Sequence, residues 1–305
     1  MSQPASDHKG VAALGFLTIV WGSSFMMIAL ALQDFNPVQI VMGRMLIGGV
    51  VLLVLVALTR QSLRGLFRHW RWLLFISAVN YTVPFVLVST AQQSVTSAMT
   101  AVFMSAIPLF TLLMSWLILK EPVSPRRWMG FGLGLGGLLW LTGADVKLVS
   151  AQAGVPWAEL GLLLACLLFA FSAIVIRRMP RVPSLPATAV MLLLGAALLL
   201  PFQLFQPIPI DLAPAATSVL ALLSLAVFST AFGQFMRTYT IQRHGPVFFS
   251  VVGYLVPIWA TILGVWLLNE QVRADQLVAF GIIMAGLVLA HDGGFETPEA
   301  PSKSA

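Results

Sequence analysis

Charge is what this chain lacks most. Of its 305 residues only 9% are charged, against 59% hydrophobic. Soluble domains carry about 25% charged residues. A soluble protein this poor in charge could not cover its surface, so lipid must be the solvent for much of the chain. Cysteine is nearly absent too. Cys166 stands alone in an apolar run, which excludes an intrachain disulfide framework and a cysteine-based metal site. There is no Gly-x-x-x-x-Gly-Lys-Ser/Thr loop and no polar segment long enough to hold a nucleotide domain, which argues against an ATP-driven pump. The histidines, His8, His69, His244 and His291, are scattered at loops and span ends. An intramembrane enzyme would need such groups clustered beside an activating base. No ring of charges or filter-like loop marks a channel. The net charge of +6 would suggest nucleic-acid binding in a soluble protein. Here the basic residues lie between apolar runs, so they report topology and no nucleic-acid partner is expected.

What the chain has is long hydrophobic runs. A spanning helix needs about 20 apolar residues, because the hydrocarbon core is roughly 30 Å thick. Runs at 11–32, 37–58, 72–92, 96–119, 127–144, 157–177, 185–205, 216–241, 246–268 and 275–291 meet or approach that length. Polar or proline-containing breaks separate them, among them Thr59–Arg71, Lys120–Arg126, Asp145–Pro156 and Arg243–Gly245. Lys and Arg favour the cytoplasmic side. With the N-terminus inside, the inner loops hold Lys9, Arg60, Arg64, Arg68, Arg71, Lys120, Arg126, Arg127, Arg177, Arg178, Arg181, Arg243 and Lys303. The outer loops hold only Lys147 and Arg273. This asymmetry predicts a multi-pass membrane protein with both termini cytoplasmic, and the expected location is the plasma (bacterial inner) membrane. The apolar stretch after Gly10 reads as the first span and not as a cleaved signal.

An internal repeat divides the chain. At an offset of 149 residues Gln93 meets Gln242, Pro108 meets Pro257, Glu121 meets Glu270, Gly132 meets Gly281 and Gly137 meets Gly286. The matching punctuation carries more weight than matching leucines. Five spans per half is an odd number, so the halves must oppose each other in the membrane. The expected class is an all-α integral membrane protein with ten transmembrane helices as two inverted five-helix repeats, a transporter architecture. The expected parts are a cytoplasmic N-terminal tail (1–10), a first repeat (11–144), an inverted second repeat (157–291) and a disordered cytoplasmic C-terminal tail (292–305).

Several features together carry a family resemblance. They are Trp21-Gly22-Ser23-Ser24-Phe25 in the first span, Arg44 in the second, Pro108 with Lys120-Glu121-Pro122 in the fourth, and Pro257 with Asn269-Glu270 in the ninth. The combination resembles the EamA family of the drug/metabolite transporter superfamily, over essentially residues 11–291. The resemblance implies ten helices in two inverted repeats and export of amino acids, related metabolites or small amphipathic compounds. Types that export aromatic amino acids are among the members it resembles. No cofactor is implied. The expected partners are a small-molecule substrate and the lipid bilayer, with the chain a monomer or a homodimer.

Candidate substrate contacts follow. Trp21, Ser24, Phe25 and Ile28 share one helix face. Tryptophan prefers the membrane interface, so a central Trp21 suggests a cavity wall, with helix packing as the alternative. Asn80 and Tyr81 lie mid-span beside Pro84, where they offer hydrogen bonds to substrate or to backbone carbonyls freed by the proline. Phe103, Phe169, Ser172, Phe228, Gln234, Arg237 and Tyr254 complete an aromatic, sparsely polar cavity if the spans surround it as the resemblance implies, with core packing as the alternative for each taken alone. Pro108 and Pro257 are candidate hinges, since proline removes a helix hydrogen bond. Arg44 and Arg237 are the charges within spans, each close enough to a span end to snorkel, with a structural pair as the alternative. Arg237 has a second reading, as a carboxylate anchor at the cytoplasmic mouth. Glu121 and Glu270 read as equivalent caps or gate pairs. No Asp, Glu or His lies at mid-depth, so facilitated diffusion or exchange is expected, or else proton coupling by a route without a mid-depth carboxylate. Glycines crowd the fifth span and, less densely, the tenth, for close packing within the monomer or across a dimer.

Overall fold

The computed structural model describes residues 8–148, 155–180, 182–205, 214–250 and 252–290. It is helical throughout. We number the helices α1 (His8–Ala31), α2 (Pro37–Leu58), α3 (70–91), α4 (97–119), α5 (Pro125–Leu148), α6 (Val155–Arg178), α7 (Ser184–Phe205), α8 (216–250), α9 (Val252–Leu268) and α10 (Ala274–Ala290). Seven stretches, in α1 to α4 and α6 to α8, are long and apolar enough to cross a bilayer, and α9 and α10 are shorter apolar helices. Large apolar side chains cover the outside. Exposed tryptophans such as Trp70, Trp157 and Trp266 stand near helix ends, as expected of interfacial belts.

Local chemistry sets the helix ends. Asn36 caps α2: its side chain accepts from the Gln39 N–H, and the Gln39 side chain accepts from the Asn36 N–H, each at 3.0 Å. Lys120 and Asn269 end α4 and α9 in the left-handed region, at φ 55° and 53°. The following amides, of Glu121 and Glu270, bond back to Ser115 O and Gly264 O. These four positions obey the 149-residue offset, so the repeat extends to the geometry of the helix caps. It extends to helix defects as well. The third helix of each half carries a π-helical stretch, Ser77–Thr82 in α3 and Leu225–Phe232 in α8.

Packing follows the repeat. α1 lies on α8 and α9, and α6 lies on α3 and α4. α2 pairs with α7, α4 with α9, and α5 with α10. Glycines allow the last pairing. A Cβ on Gly130 would collide with the backbone of Gly286 and Ala290, and one on Gly286 with the backbone of Gly130 and Gly134. The contacts of Gly130 and Gly286 are therefore made within the monomer. Gly132, Gly136 and Gly281 instead meet open space.

Three expectations change. α1 begins at His8, so the end of the expected N-terminal tail is helical. The break expected at Arg243–Gly245 is helix, and α8 runs on to Ser250. Polar residues there mark the approach to the membrane surface, where a helix can continue because its backbone bonds are already internal. Arg44 and Arg237 do not snorkel; each is 4% exposed. Residues 1–7, Arg181, His291, Lys303 and the 292–305 tail lie outside the described residues, as do the side chains of His8, Lys9, Lys147, Gln242, Arg243 and His244.

Candidate functional site

A cavity of about 140 Å³ lies between the two halves. α1 contributes Trp21, Ser24, Phe25 and Ile28, which share one helix face. α3 adds Phe85 and Val88, and α4 adds Met104, Ile107, Pro108 and Thr111. From the second half come Phe169 and Ala173 of α6, Ser229, Gln234 and Arg237 of α8, and Gly253, Val256 and Pro257 of α9. Arg44 reaches in from α2. Among the described residues, the glycine-packed pair α5 and α10 supplies none of the lining.

The Trp21–Phe25 motif builds one wall and ties α1 to the second half. The indole N–H of Trp21 donates to the Ser229 carbonyl at 3.2 Å, in the π-helical stretch of α8. A Cβ on Gly233 would stand 2.6 Å from that nitrogen, so glycine makes room for the ring. Gly22 does the same for Trp259, whose indole N–H donates to the Ser23 hydroxyl at 3.1 Å. Ser24 donates to Trp21 O.

Two arginines supply the cavity's charge. Arg44 donates from Nε to the Thr230 hydroxyl at 2.8 Å and more weakly to the Ser229 hydroxyl at 3.3 Å. Its guanidinium carbon lies 4.1 Å from the Phe85 ring centroid, a cation–π contact. Arg237 donates to the Ser172 hydroxyl at 3.2 Å and to Phe169 O at 3.4 Å. Ser172 in turn donates to Asn80 Oδ1 at 2.7 Å. The Tyr81 hydroxyl lies beside Asn80 and Thr238, near Arg237. A buried polar network therefore runs from the π-helical stretch of α3 through α6 to α8. Such stretches free backbone and side-chain groups from regular helix geometry and are frequent at functional sites.

The structure distributes the expected site residues unevenly. Trp21, Ser24, Phe25, Phe169, Gln234, Arg237, Pro108 and Pro257 line the cavity. Asn80, Tyr81 and Ser172 stand behind it, fully buried in the network that holds Arg237. Three residues lie elsewhere. Phe103 is buried core, its carbonyl accepting from the Cys166 thiol. Phe228 is 54% exposed on the outer surface. Tyr254 donates to Leu287 O on α10. An aromatic ring is stabilised equally by cavity, core and lipid, so residue type alone does not select the face. Arg44, Phe85 and Ser229 were not among the expected contacts. The available signal for Arg44 was its charge inside a span, which by default marks function.

The prolines differ between the halves. α4 is interrupted at Ser105–Ala106 and resumes at Ile107, with Pro108 in its new first turn. Pro257 sits inside the continuous α9.

The model of the EamA-like transporter family matches residues 8–143 and again 156–291. The chain belongs to this family. Two family units therefore account for most of its length. The inner membrane transporter YedA of Escherichia coli K12, whose name marks it as uncharacterized, is 26% identical over 95% of this chain and 92% of its own length. Protein PecM of Dickeya dadantii is 26% identical, covering 90% of this chain and 89% of itself. An S-adenosylmethionine/S-adenosylhomocysteine transporter of Chlamydia muridarum is 25% identical over 90% of this chain and 89% of its own. A solved crystal structure superposes with a TM-score of 0.68 at 18% identity, covering 93% of this chain and 97% of that one, which shows a shared fold. With its apolar helices, this EamA-family chain is a multi-pass membrane protein of transporter type.

Proposed function

We propose that this chain exports amino acids or related small amphipathic metabolites by alternating access through the cavity between its halves. The carrying observation is the cavity itself: one predominantly apolar, aromatic-walled space built from both family units, with a few placed polar groups. All ten helices cross the bilayer, both termini are cytoplasmic, and the halves are inverted about an axis in the membrane plane. The Lys and Arg distribution supports the orientation, and the exchange-symmetric helix pairing supports the axis.

An asymmetry between equivalent positions supports alternation. Glu270 Oε1 accepts from the Ser97 N–H at 2.8 Å and Oε2 from the Ala98 N–H at 2.9 Å, latching the end of α9 to the start of α4. Its counterpart Glu121 instead pairs with Arg177 at 2.7 Å. One latch is made here, and the opposite conformation exchanges it for the other. The second reading is export of bulkier amphipathic drugs, which the apolar lining favours. Reconstitution in liposomes with labelled amino acids and amphipathic cations separates the two. Flux of amino acids supports the first reading; flux of cations alone replaces it with the second; no flux of either refutes transport by this cavity.

A further inference from the structure

We infer that the transported molecule carries a carboxylate on an apolar or aromatic body, and that Arg44 is the group that binds that carboxylate. This rests on the transport reading and narrows it: amphipathic cations are excluded.

The argument starts from charge. Arg44 is 4% exposed and lines the cavity, so its guanidinium is removed from bulk water. Its protein partners are two neutral hydroxyls, on Thr230 and Ser229, and the face of Phe85. No carboxylate pairs with it among the described residues. A guanidinium has five N–H donors. Two serve Thr230 and Ser229, and the remaining three have no acceptor among the described residues. A buried cation without a counter-ion is costly, and arginine stays charged. An anion from the cavity offsets that cost.

Arg237 adds a second positive charge to the same cavity, two turns along α8 from Ser229. No Asp or Glu is among the lining residues. A cationic substrate would enter a space whose lining carries two like charges and no carboxylate. A carboxylate matches the guanidinium fork in shape and charge. Thr230 and Ser229 hold that fork in place from the π-helical stretch of α8. Trp21, Phe25 and Phe169 then receive the apolar body. Gln234 adds one more contact: its Oε1 is buried without a partner among the described residues and Gln234 lines the cavity, so it offers an acceptor to a substrate N–H.

A ligand series tests this on the unaltered protein. Phenylalanine, 3-phenylpropionate and phenethylamine share one aromatic body and differ in which charged group they keep. Each is measured by thermal stabilisation of purified protein and by competition with labelled-phenylalanine counterflow in liposomes. Phenylalanine and 3-phenylpropionate are expected to bind and compete, and phenethylamine to be at least tenfold weaker. In Arg44→Gln, carboxylate affinity is expected to fall about ten- to hundredfold, the range for losing a charge-assisted hydrogen bond. Arg44→Lys retains the charge without the fork and is expected to fall between. Unfolding of each variant without ligand separates a binding loss from a folding loss. Phenethylamine binding as well as phenylalanine overturns the inference, as does carboxylate affinity within twofold of wild type in a folded Arg44→Gln protein. Flux of amphipathic cations without flux of carboxylates overturns it while leaving the transporter reading intact. No flux of any compound counts against that reading itself.

Discussion

Glu270→Gln isolates the latch between the halves. The Ser97 and Ala98 amides lie in the first turn of α4, where helical N–H groups have no intrahelical acceptor. Glu270 supplies both acceptors, at 2.8 and 2.9 Å, while Thr96 Oγ1 accepts from Met99. Hydrogen bonds to a charged partner contribute about 1.5–3 kcal/mol net and neutral ones about 0.5–1.5. Glutamine keeps one neutral acceptor, so one bond is lost and the other weakened. An anion at a helix N-terminus adds about 0.3–1 kcal/mol. Glu270 is half-buried, which trims each figure, and a total near 2 kcal/mol follows. That is roughly a thirtyfold shift toward the unlatched conformation, at about 1.4 kcal/mol per tenfold. Hydrogen exchange of the peptide spanning residues 97–100 reads it directly, since these amides owe their protection to this carboxylate. Exchange at Ser97 and Ala98 is expected to rise at least tenfold. Unchanged protection there would refute the latch. The reciprocal Glu121→Gln removes an exposed pair with Arg177, so it should leave exchange at 97–98 no faster yet slow transport. If both variants opened the same site, the alternation would fail.

Other outcomes follow from packing. Gly130→Ala should lower stability by about 1–3 kcal/mol, because a methyl there meets the backbone of α10, whereas Gly132→Ala should be nearly neutral. Thermal unfolding in detergent compares them, and equal effects would sink the close-packing argument. Pro257→Ala restores a helix N–H in α9 and should slow flux without lowering melting temperature, a result checked by liposome transport. Faster or unaltered flux would remove Pro257 as a hinge. Cys166 is fully buried against α4 and should resist maleimide in native membranes but react after denaturation; rapid native labelling would contradict its placement.

Much of the fold is legible in the chain. Run length and the scarcity of charge mark the helices. The paired Pro, Glu and Gly positions mark the two units, and the same spacing reappears as left-handed caps at Lys120 and Asn269 and as π-helical stretches in α3 and α8. The Trp21–Phe25 motif is also legible as one face, because helical spacing alone places those residues together.

Facing is where sequence reasoning stops. In water, an apolar stripe tells a helix which side to bury. In a bilayer the lipid is as apolar as the core, so that stripe fades. Phe228 on the outside, Phe103 in the core and Phe169 in the cavity wall are therefore indistinguishable by type. Tertiary structure alone decided which of them faces the cavity. It also decided that Arg44 turns inward instead of outward to the surface, since the packed π-helical stretch of α8 brings the Thr230 and Ser229 hydroxyls to its guanidinium. Composition determined that this chain lives in lipid; the docking of one half against the other determined where its few charges are kept from it.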